Sequence, residues 1–535
     1  MSFEIRDDVL VRYEQQPNKT DVVIPQGIKQ ISKDAFERCD SIKSVTIPEG
    51  VTRIGNNAFY KCKSLERVVM ADTVEQIDDC AFYGCTSLSN IVISKNVNEI
   101  GLSAFKGTPW LENQKDEFVI IGNNVLVKYN GDEENVVVPY GVTKISDFVF
   151  HNCMLMMSVV IPETVVEIGE SAFSECRSLR KVTIHDGVTK ICRDAFSNCE
   201  SLINIKIAKS VKCLEEQVFS GCKSLKEISI PEGITQIKSK LFECCTELVS
   251  VDIPESVEKI GSSAFDDCYS MKNINIPQNV KEIGSDAFRN CGSLENINIP
   301  VGIEVLNTAV FFGCRSVKNL VIPNSVKSIG LFAFSGCSSI KSVTIPESVV
   351  EIKEKAFYEC RSLTDVTIPK SVTKWENYAF AGCSSLRNID LFGYKVDCQK
   401  CNWDKSDITS IALMLLNREY EKYEDFSIDD IYETYVTNIN RFVVYTFASK
   451  VYIDTRQPQA ENYIKTRIYS IVDFFIDKND LNMIKSLFEC GVFINEKNIS
   501  HFVEYSSKNT QNGGDSKIQS YIEEFHSQKK YIKKC

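Results

Sequence analysis

The amino-acid sequence predicts an α/β solenoid, a right-handed coil of short repeats with a parallel β-sheet on its concave side, followed by an all-α C-terminal domain. The first observation is a cysteine at every twenty-third residue, at Cys39, Cys62 and Cys85 and then without a break from Cys153 to Cys383. The second is that this period stops after Cys383, where helical periodicity replaces it. A fixed period of this length is typical of a solenoid, in which each unit buries its apolar face against its neighbours.

One repeat, from Cys176 to Cys199, shows what each coil contains. Val182 and Ile184 alternate with polar residues, which predicts a short half-buried strand. A turn follows, usually Pro-Glu-Gly-Val or Pro-Glu-Ser-Val, as at Pro48, and proline ends the strand because it cannot donate to the next ladder bond. The Val-x-x-Ile segment that follows leads to a short helical or irregular return through Ala-Phe.

The 22 cysteines of the chain do not indicate a disulfide framework. Residues stacked in register lie about 4.8 Å apart and point the same way, whereas a disulfide needs sulfurs about 2.05 Å apart on converging side chains. A small, weakly polar side chain suits the inside of a coil. We therefore expect a structural ladder of reduced thiols at Cys176, Cys199, Cys222, Cys245, Cys268, Cys291, Cys314, Cys337 and Cys360.

The repeat resembles the BspA-type leucine-rich repeat family, whose unit reads close to Ile-Pro-x-x-Val-x-x-Ile-Gly-x-x-Ala-Phe-x-x-Cys-x-x-Leu-x-x-Val-x-Ile. The pattern recurs over about residues 20–395. The resemblance implies a leucine-rich-repeat solenoid with its parallel sheet on the concave side. Members of this family include surface adhesins that bind host extracellular proteins, so the resemblance also permits a role in attachment.

The period is interrupted once, where Thr108 takes the place of the expected cysteine. The segment 118–129 that follows nearly copies segment 3–13, and both are predicted to be β-hairpins that cap a stack of repeats. Whether the two blocks stack continuously or hinge stays open. The predicted organisation is a hairpin cap (1–22), a first repeat block (23–110), a cap-like hairpin insert (111–136), a second repeat block (137–395) and a helical domain (396–535).

The outward positions of the predicted concave strands carry mainly Ser, Thr and Asn, and few aromatic residues. Aromatic and arginine anchors are typical of protein-binding hot spots, and this face lacks them. The candidate binding surface is a group of amides with two neighbouring threonines, namely Asn273, Asn275, Asn296, Asn298, Asn319, Thr344 and Thr367. These amides either bind sugars or a peptide backbone, or they bond to their own copies along the sheet.

The C-terminal quarter, after Leu391, is predicted to contain about six helices over residues 403–534. Residues 463–525 have a degenerate resemblance to ankyrin repeats, without the expected Thr-Pro-Leu-His turn. The resemblance implies a second helical interaction surface, and the alternative is a helical cap on the open end of the solenoid.

Composition and motifs argue against several classes of function. The net charge of −11 disfavours nucleic acid, and no segment is apolar enough to span a membrane. No signal peptide is visible, which favours a cytoplasmic location. A location at the cell surface would require non-classical export. Cys398 and Cys401 have zinc-like spacing but lack two further ligands, so we interpret them as ordinary thiols.

No nucleotide-binding, zinc-protease or nucleophile motif occurs, so we expect no cofactor, no metal and no enzyme activity. The leading hypothesis is a non-enzymatic scaffold that presents its long surface to a protein partner. One alternative is a BspA-like surface adhesin that binds host extracellular proteins. The other is a glycan-binding protein that uses the asparagine group.

Overall fold

The computed structural model describes residues 3–391 except 17, 370 and 377, and also residues 394–397, 449, 458–489 and 494–532. Over the repeat region the chain forms a solenoid of short parallel strands, as the sequence predicts. A group of helices follows it.

The concave sheet is built from the Val-x-Ile segment of each coil. Its side chains alternate between buried and exposed, for example in the Ser44–Ile47 strand. Neighbouring strands pair in parallel exactly one repeat apart in the sequence, as Val45 with Val68. Its strands are β3 (Asp21–Val23), β5 (Ser44–Ile47), β7 (Arg67–Met70), β9 (Asn90–Val92), β13 (Asn135–Val137), β15 (Ser158–Ile161), β17 (Lys181–Ile184), β19 (Asn204–Lys206), β21 (Glu227–Ser229), β23 (Ser250–Asp252), β28 (Ser342–Thr344), β30 (Asp365–Ile368), β32 (Asn388–Leu391) and the antiparallel β33 (Tyr394–Asp397).

A second parallel sheet runs along the solenoid at the Val-x-x-Ile segments, for which the sequence alone predicts no strand. The isoleucine of each Val-x-x-Ile segment is buried and its preceding residue points outward, as Ile54 and Arg53 do. The strands of this sheet are β4 (Gln30–Ile31), β6 (Arg53–Ile54), β8 (Gln76–Ile77), β10 (Glu99–Ile100), β14 (Lys144–Ile145), β16 (Glu167–Ile168), β18 (Lys190–Ile191), β20 (Cys213–Leu214), β22 (Gln236–Ile237), β24 (Lys259–Ile260), β25 (Glu282–Ile283), β26 (Val305–Leu306), β27 (Ser328–Ile329), β29 (Glu351–Ile352) and β31 (Lys374–Trp375).

The Ala-Phe return forms a third hydrogen-bond ladder without strand geometry. The backbone N–H of Phe36 donates to the carbonyl of Ala58 in the next coil, and that of Arg38 donates to Tyr60. Two residues of this return have positive φ in most coils, such as Asp34 and Arg38 at 59° and 55°. Left-handed backbone turns the chain sharply on both sides of the buried phenylalanine.

The core of the solenoid is a stack of phenylalanine rings, one from each coil. In the second block the stack runs without interruption from Phe150 to Phe380, with ring centroids 4.7 to 5.9 Å apart. This spacing is close to that between neighbouring strands. The 23-residue period therefore brings each ring into contact with its copies before and after it.

Each block begins with an antiparallel hairpin. The first consists of β1 (Phe3–Arg6) and β2 (Val9–Tyr13), and the second of β11 (Phe118–Ile121) and β12 (Val125–Tyr129). The second strand of each hairpin pairs with the second sheet, β2 with β4 and β12 with β14. Tyr13 and Tyr129 lie against the first phenylalanine of their blocks, with centroids 4.9 Å apart in both cases.

The hairpin insert between the blocks contributes to both cores. Val125 is buried with the apolar residues of the first block, and the adjacent Leu126 with those of the second. The backbone N–H of Asn123 donates to the carbonyl of Val97, 2.7 Å away. The two blocks are therefore joined through this hairpin, a point that the sequence leaves open.

The break in the cysteine ladder is occupied by a short helix, α1 (Pro109–Glu112). Thr108 is fully buried, caps this helix and donates through Oγ1 to the carbonyl of Phe105 at 2.7 Å. Trp110 packs on the ring of Phe105, with centroids 5.0 Å apart. This helix thus covers the last phenylalanine of the first block.

Four helices follow the solenoid within the described residues: α2 (Pro458–Asp477), α3 (Leu481–Glu489), α4 (Glu496–Gln511) and α5 (Ser516–Ile532). They share a core that includes Ile471, Leu487 and Phe502. Asn495 caps α4 through a reciprocal pair of bonds with Asn498. The helices predicted before residue 458 lie outside the described residues, and the ankyrin-like character of 463–525 stays a prediction.

Candidate functional site

The five asparagines that the sequence singles out all lie exposed on the concave side of three successive coils. We call this group, Asn273, Asn275, Asn296, Asn298 and Asn319, the asparagine patch. The side chain of Asn298 makes one long contact, from Nδ2 to the carbonyl oxygen of Ile276 at 3.5 Å. Within the described residues, no hydrogen bond joins one side-chain amide of the patch to another.

The concave sheet lapses at the asparagine patch. Its ladder stops at Asp252 and resumes at Ser342, with a single parallel bridge between Asn296 and Asn319 in the interval, all of which the structure describes. The return ladder continues through the same coils, whereas the second sheet is also interrupted there, between β25 and β26. Asparagine is depleted in strands because its side chain competes for backbone hydrogen bonds.

Two exposed apolar side chains lie beside the amides. Val321 occupies an outward position of the concave side and is 73% exposed, and Val301 follows the turn proline and is 71% exposed. Sequence reasoning did not single out Val301. A comparison of the repeats would have revealed it, because the residue after the turn proline is glutamate in several other coils, as at Glu49 and Glu347.

The asparagine patch is flanked by a charged pair on one side and by exposed threonines on the other. Lys318 forms an exposed ion pair with Glu295 at 3.1 Å, in the column that precedes the asparagines. Thr344 and Thr367, the two threonines of the predicted surface, are exposed neighbours in the next regular part of the concave sheet. The patch therefore combines amides, two valines and a few paired charges.

A charged cleft of about 500 Å³ lies on the second sheet at the junction of the two blocks. Lys144 bridges the blocks there, with Nζ 2.6 Å from Glu99 and 2.9 Å from Glu167. Burial lowers the pKa of Lys144, but the hydrogen bonds to the two carboxylates outweigh it and the net shift is upward. Burial also raises the pKa of Asp147 to about 6.

The cysteine ladder is internal and bonded to backbone. Each thiol from Cys176 to Cys383 donates to the carbonyl of a phenylalanine 26 residues earlier, as Cys176 does to Phe150 at 3.0 Å. Cys398 and Cys401, the pair with zinc-like spacing, lie outside the described residues. Within the described part of the chain, no group of three or more His, Cys, Asp or Glu side chains is arranged to hold a metal ion.

The helical domain holds one polar cluster between α2 and α4. His501 Nε2 lies 3.0 Å from both carboxylate oxygens of Asp473, and the hydroxyl of Tyr505 donates to Asp477 at 3.0 Å. Burial is the main reason that the pKa of Tyr505 rises to about 12. These bonds join two helices. Among the helices that the structure describes, none has an apolar stretch long enough to cross a bilayer.

The coil geometry, the parallel ladders and the recurrent buried leucine and phenylalanine define a leucine-rich-repeat solenoid protein. The sequence profile of the BspA type leucine-rich repeat region matches the chain over residues 12–130, 119–219, 189–318 and 304–419. The chain therefore belongs to the BspA-type leucine-rich repeat family. No curated protein matches it.

Similar solved structures include bacterial leucine-rich repeat proteins. One from Bacteroides ovatus is 27% identical, with a TM-score of 0.38, over 72% of this chain and 91% of that one. A leucine-rich cell surface protein from Faecalibacterium prausnitzii is 25% identical, with a TM-score of 0.28, over 73% and 93%. A protein from Eubacterium ventriosum is 23% identical, with a TM-score of 0.35, over 69% and 87%.

Proposed function

We propose that this chain is a non-enzymatic binding scaffold whose asparagine patch holds an extended segment of a protein partner. The observation that carries the proposal is the coincidence of five exposed amides with the lapse of the concave ladder in the same three coils. An amide side chain both donates and accepts, which matches the alternating N–H and C=O groups of a peptide backbone.

The two valines beside the patch add an apolar contact. Val301 and Val321 are more than 70% exposed, and burying a valine side chain stabilises a complex by about 1.5–3 kcal/mol at most. A partner segment with one apolar side chain between polar backbone contacts suits this arrangement. Glycans usually stack on aromatic rings, and the patch itself contains none, so a peptide is the better match.

The test starts by capturing a partner with the immobilised full chain and titrating the purified partner. The Asn273/Asn296/Asn319→Ala variant should bind about tenfold more weakly or worse, because each lost hydrogen bond costs about 0.5–1.5 kcal/mol. The matched control is Asn90/Asn204/Ser250→Ala, which removes equivalent outward side chains from other coils of the same column. It should change the affinity less than about twofold.

Unchanged affinity of the asparagine variant, with an unchanged unfolding transition, would overturn the proposal. A partner that resists the asparagine variant and is released by free monosaccharide would instead identify a glycan-dependent contact elsewhere on the chain.

A further inference from the structure

Neighbouring coils of the second block are joined on up to three sides, by the concave sheet, the second sheet and the return ladder. Between the coil that ends at Cys291 and the coil that ends at Cys314, neither sheet pairs. Strand β25 pairs only with β24, and β26 only with β27. Among the described residues of the second block, no other two neighbouring coils lack both sheets. We call this boundary the joint.

The joint is held together along its return side. The backbone N–H of Phe288 donates to the carbonyl of Val310 at 2.9 Å, and the thiol of Cys314 donates to the carbonyl of Phe288 at 3.1 Å. The rings of Phe288 and Phe311 are stacked, with centroids 5.4 Å apart. The two coils are therefore fixed along one line and unpaired elsewhere, which is the arrangement of a hinge.

Three side-chain amides cross the joint where neighbouring coils use backbone pairs. They connect Asn298 Nδ2 with the carbonyl of Ile276 at 3.5 Å, Gln278 Oε1 with the N–H of Val301 at 3.3 Å, and Asn307 Nδ2 with the carbonyl of Ile283 at 2.6 Å. A side chain rotates about its own bonds, so it holds two coils less rigidly than a ladder of backbone groups does.

Asn307 is the residue that keeps the second sheet open at the joint. The same position holds Gly284 in the coil before and Gly330 in the coil after, and their N–H groups donate to the preceding coil at 2.8 and 2.7 Å. A Cβ atom at either glycine would lie 2.5 Å from the backbone of the preceding coil. Asn307 carries such a Cβ atom, and its side-chain amide occupies the carbonyl of Ile283 in place of its own backbone N–H.

We propose that the joint is a hinge of the solenoid, held at the return ladder and kept open by Asn307. Bending there changes the distance between two parts of the asparagine patch, because Asn273 and Asn275 lie on one side of the joint and the other three asparagines on the other side. The hinge thus lets the patch adjust to the backbone of an extended partner, and this consequence alone rests on the proposed function. The hinge itself is a property of the free chain.

Distances between two spin labels, measured by pulsed electron paramagnetic resonance on the full chain without a partner, test the hinge. Labels on genetically encoded keto amino acids at Glu227 and Ser342 avoid the native thiols and span the joint. The matched pair, Asn135 and Ser250, is also five repeats apart but lies on one side of the joint. All four residues are exposed on concave strands. The spanning pair should give the broader distance distribution.

Asn307→Gly should close the second sheet at the joint, because its N–H can then donate to Ile283 as the neighbouring glycines do to their own partners. The distribution of the spanning pair should narrow to the width of the matched pair. Lys353 also occupies this position in its coil, but its N–H donates to the carbonyl of Ile329 at 2.9 Å. Lys353→Gly is therefore the control and should leave the spanning pair unchanged.

Equal widths of the two pairs in the native chain would overturn the hinge. A broad spanning distribution that Asn307→Gly leaves unchanged would overturn the role of Asn307.

Hydrogen exchange of the native chain gives a second measurement that needs no variant. The amides of 304–307 should exchange about tenfold faster or more than those of 327–330, because Lys327 and Gly330 donate to the preceding coil. Equal exchange of the two segments would contradict an open joint. Neither measurement involves a partner, so the hinge stands if the proposed binding by the patch fails.

Discussion

The thiol of Cys222 donates a hydrogen bond to the carbonyl oxygen of Phe196 in the preceding coil, at 3.2 Å. Both side chains are fully buried. Burial raises the pKa of Cys222 to about 12, although a backbone hydrogen bond with Cys199 opposes this. The Cys222 thiol therefore stays protonated at neutral pH and is held in place as a donor.

This arrangement predicts selective thiol chemistry. Iodoacetamide should modify the partly exposed Cys80, Cys213 and Cys244 of the native chain before any ladder cysteine from Cys176 to Cys383, because the thiolate is the nucleophile and buried thiols rarely form it. Peptide mass spectrometry over a time course checks the order. In guanidinium all sites should react alike. Labelling of Cys222 as fast as Cys80 in the native chain would contradict the buried ladder.

The phenylalanine stack predicts a large penalty for one missing ring. Phe219→Ala should lower the free energy of the first urea unfolding transition by about 3–5 kcal/mol, because it leaves a cavity between two neighbouring rings. Phe148→Ala, at a position 42% exposed, is the control and should cost less than about 1 kcal/mol. Equal effects of the two substitutions would show that the stack is not continuous through Phe219.

Lys144 forms ion pairs with both blocks, so these ion pairs should help to hold the junction between the blocks closed. Lys144→Met removes the contacts with Glu99 and Glu167, so the amide of Asn123 should exchange its hydrogen about fivefold faster or more. Lys327→Met breaks an exposed pair with Glu304 within one block and should leave that amide unchanged. Unaltered exchange at Asn123 in the Lys144 variant would mean that packing alone joins the blocks.

The raised pKa of Asp147 predicts that the folded state loses stability as pH rises. Its folded pKa, about 6, lies above the unfolded value of about 3.9, so the folded state binds the proton more tightly and stability is lost as pH rises from 4 to 6. Asp147→Asn should be more stable at neutral pH, by roughly 3 kcal/mol at most, and should lack this loss. Asn retains an oxygen for the N–H of Glu170. An unchanged slope between pH 4 and 6 would contradict the assignment.

The repeat pattern alone predicted the solenoid and the outward columns of the concave sheet. Alternation at Val182 and Ile184 determines which residues face the core, and the cysteine period determines which residues stack. Asn273 and Asn296 could thus be placed on one face by counting. This succeeded because every coil repeats the same local geometry.

The second sheet was not predictable in the same way. Each of its strands contributes only two residues, such as Arg53 and Ile54, which is too short for an alternation signal. The positive φ of residues such as Phe332 was also hidden, because no glycine marks it. The lapse of the ladder between Asp252 and Ser342 depends on pairing between coils, which a single repeat does not encode.

Hydrogen exchange of the full chain, with and without the captured partner, tests binding by the asparagine patch most directly. The amides of 273–276, 296–299 and 319–322 should exchange quickly in the free chain, because the concave ladder is interrupted there, and should become protected by the partner. Protection confined to the helices between 458 and 532, with no change in those three segments, would contradict the account.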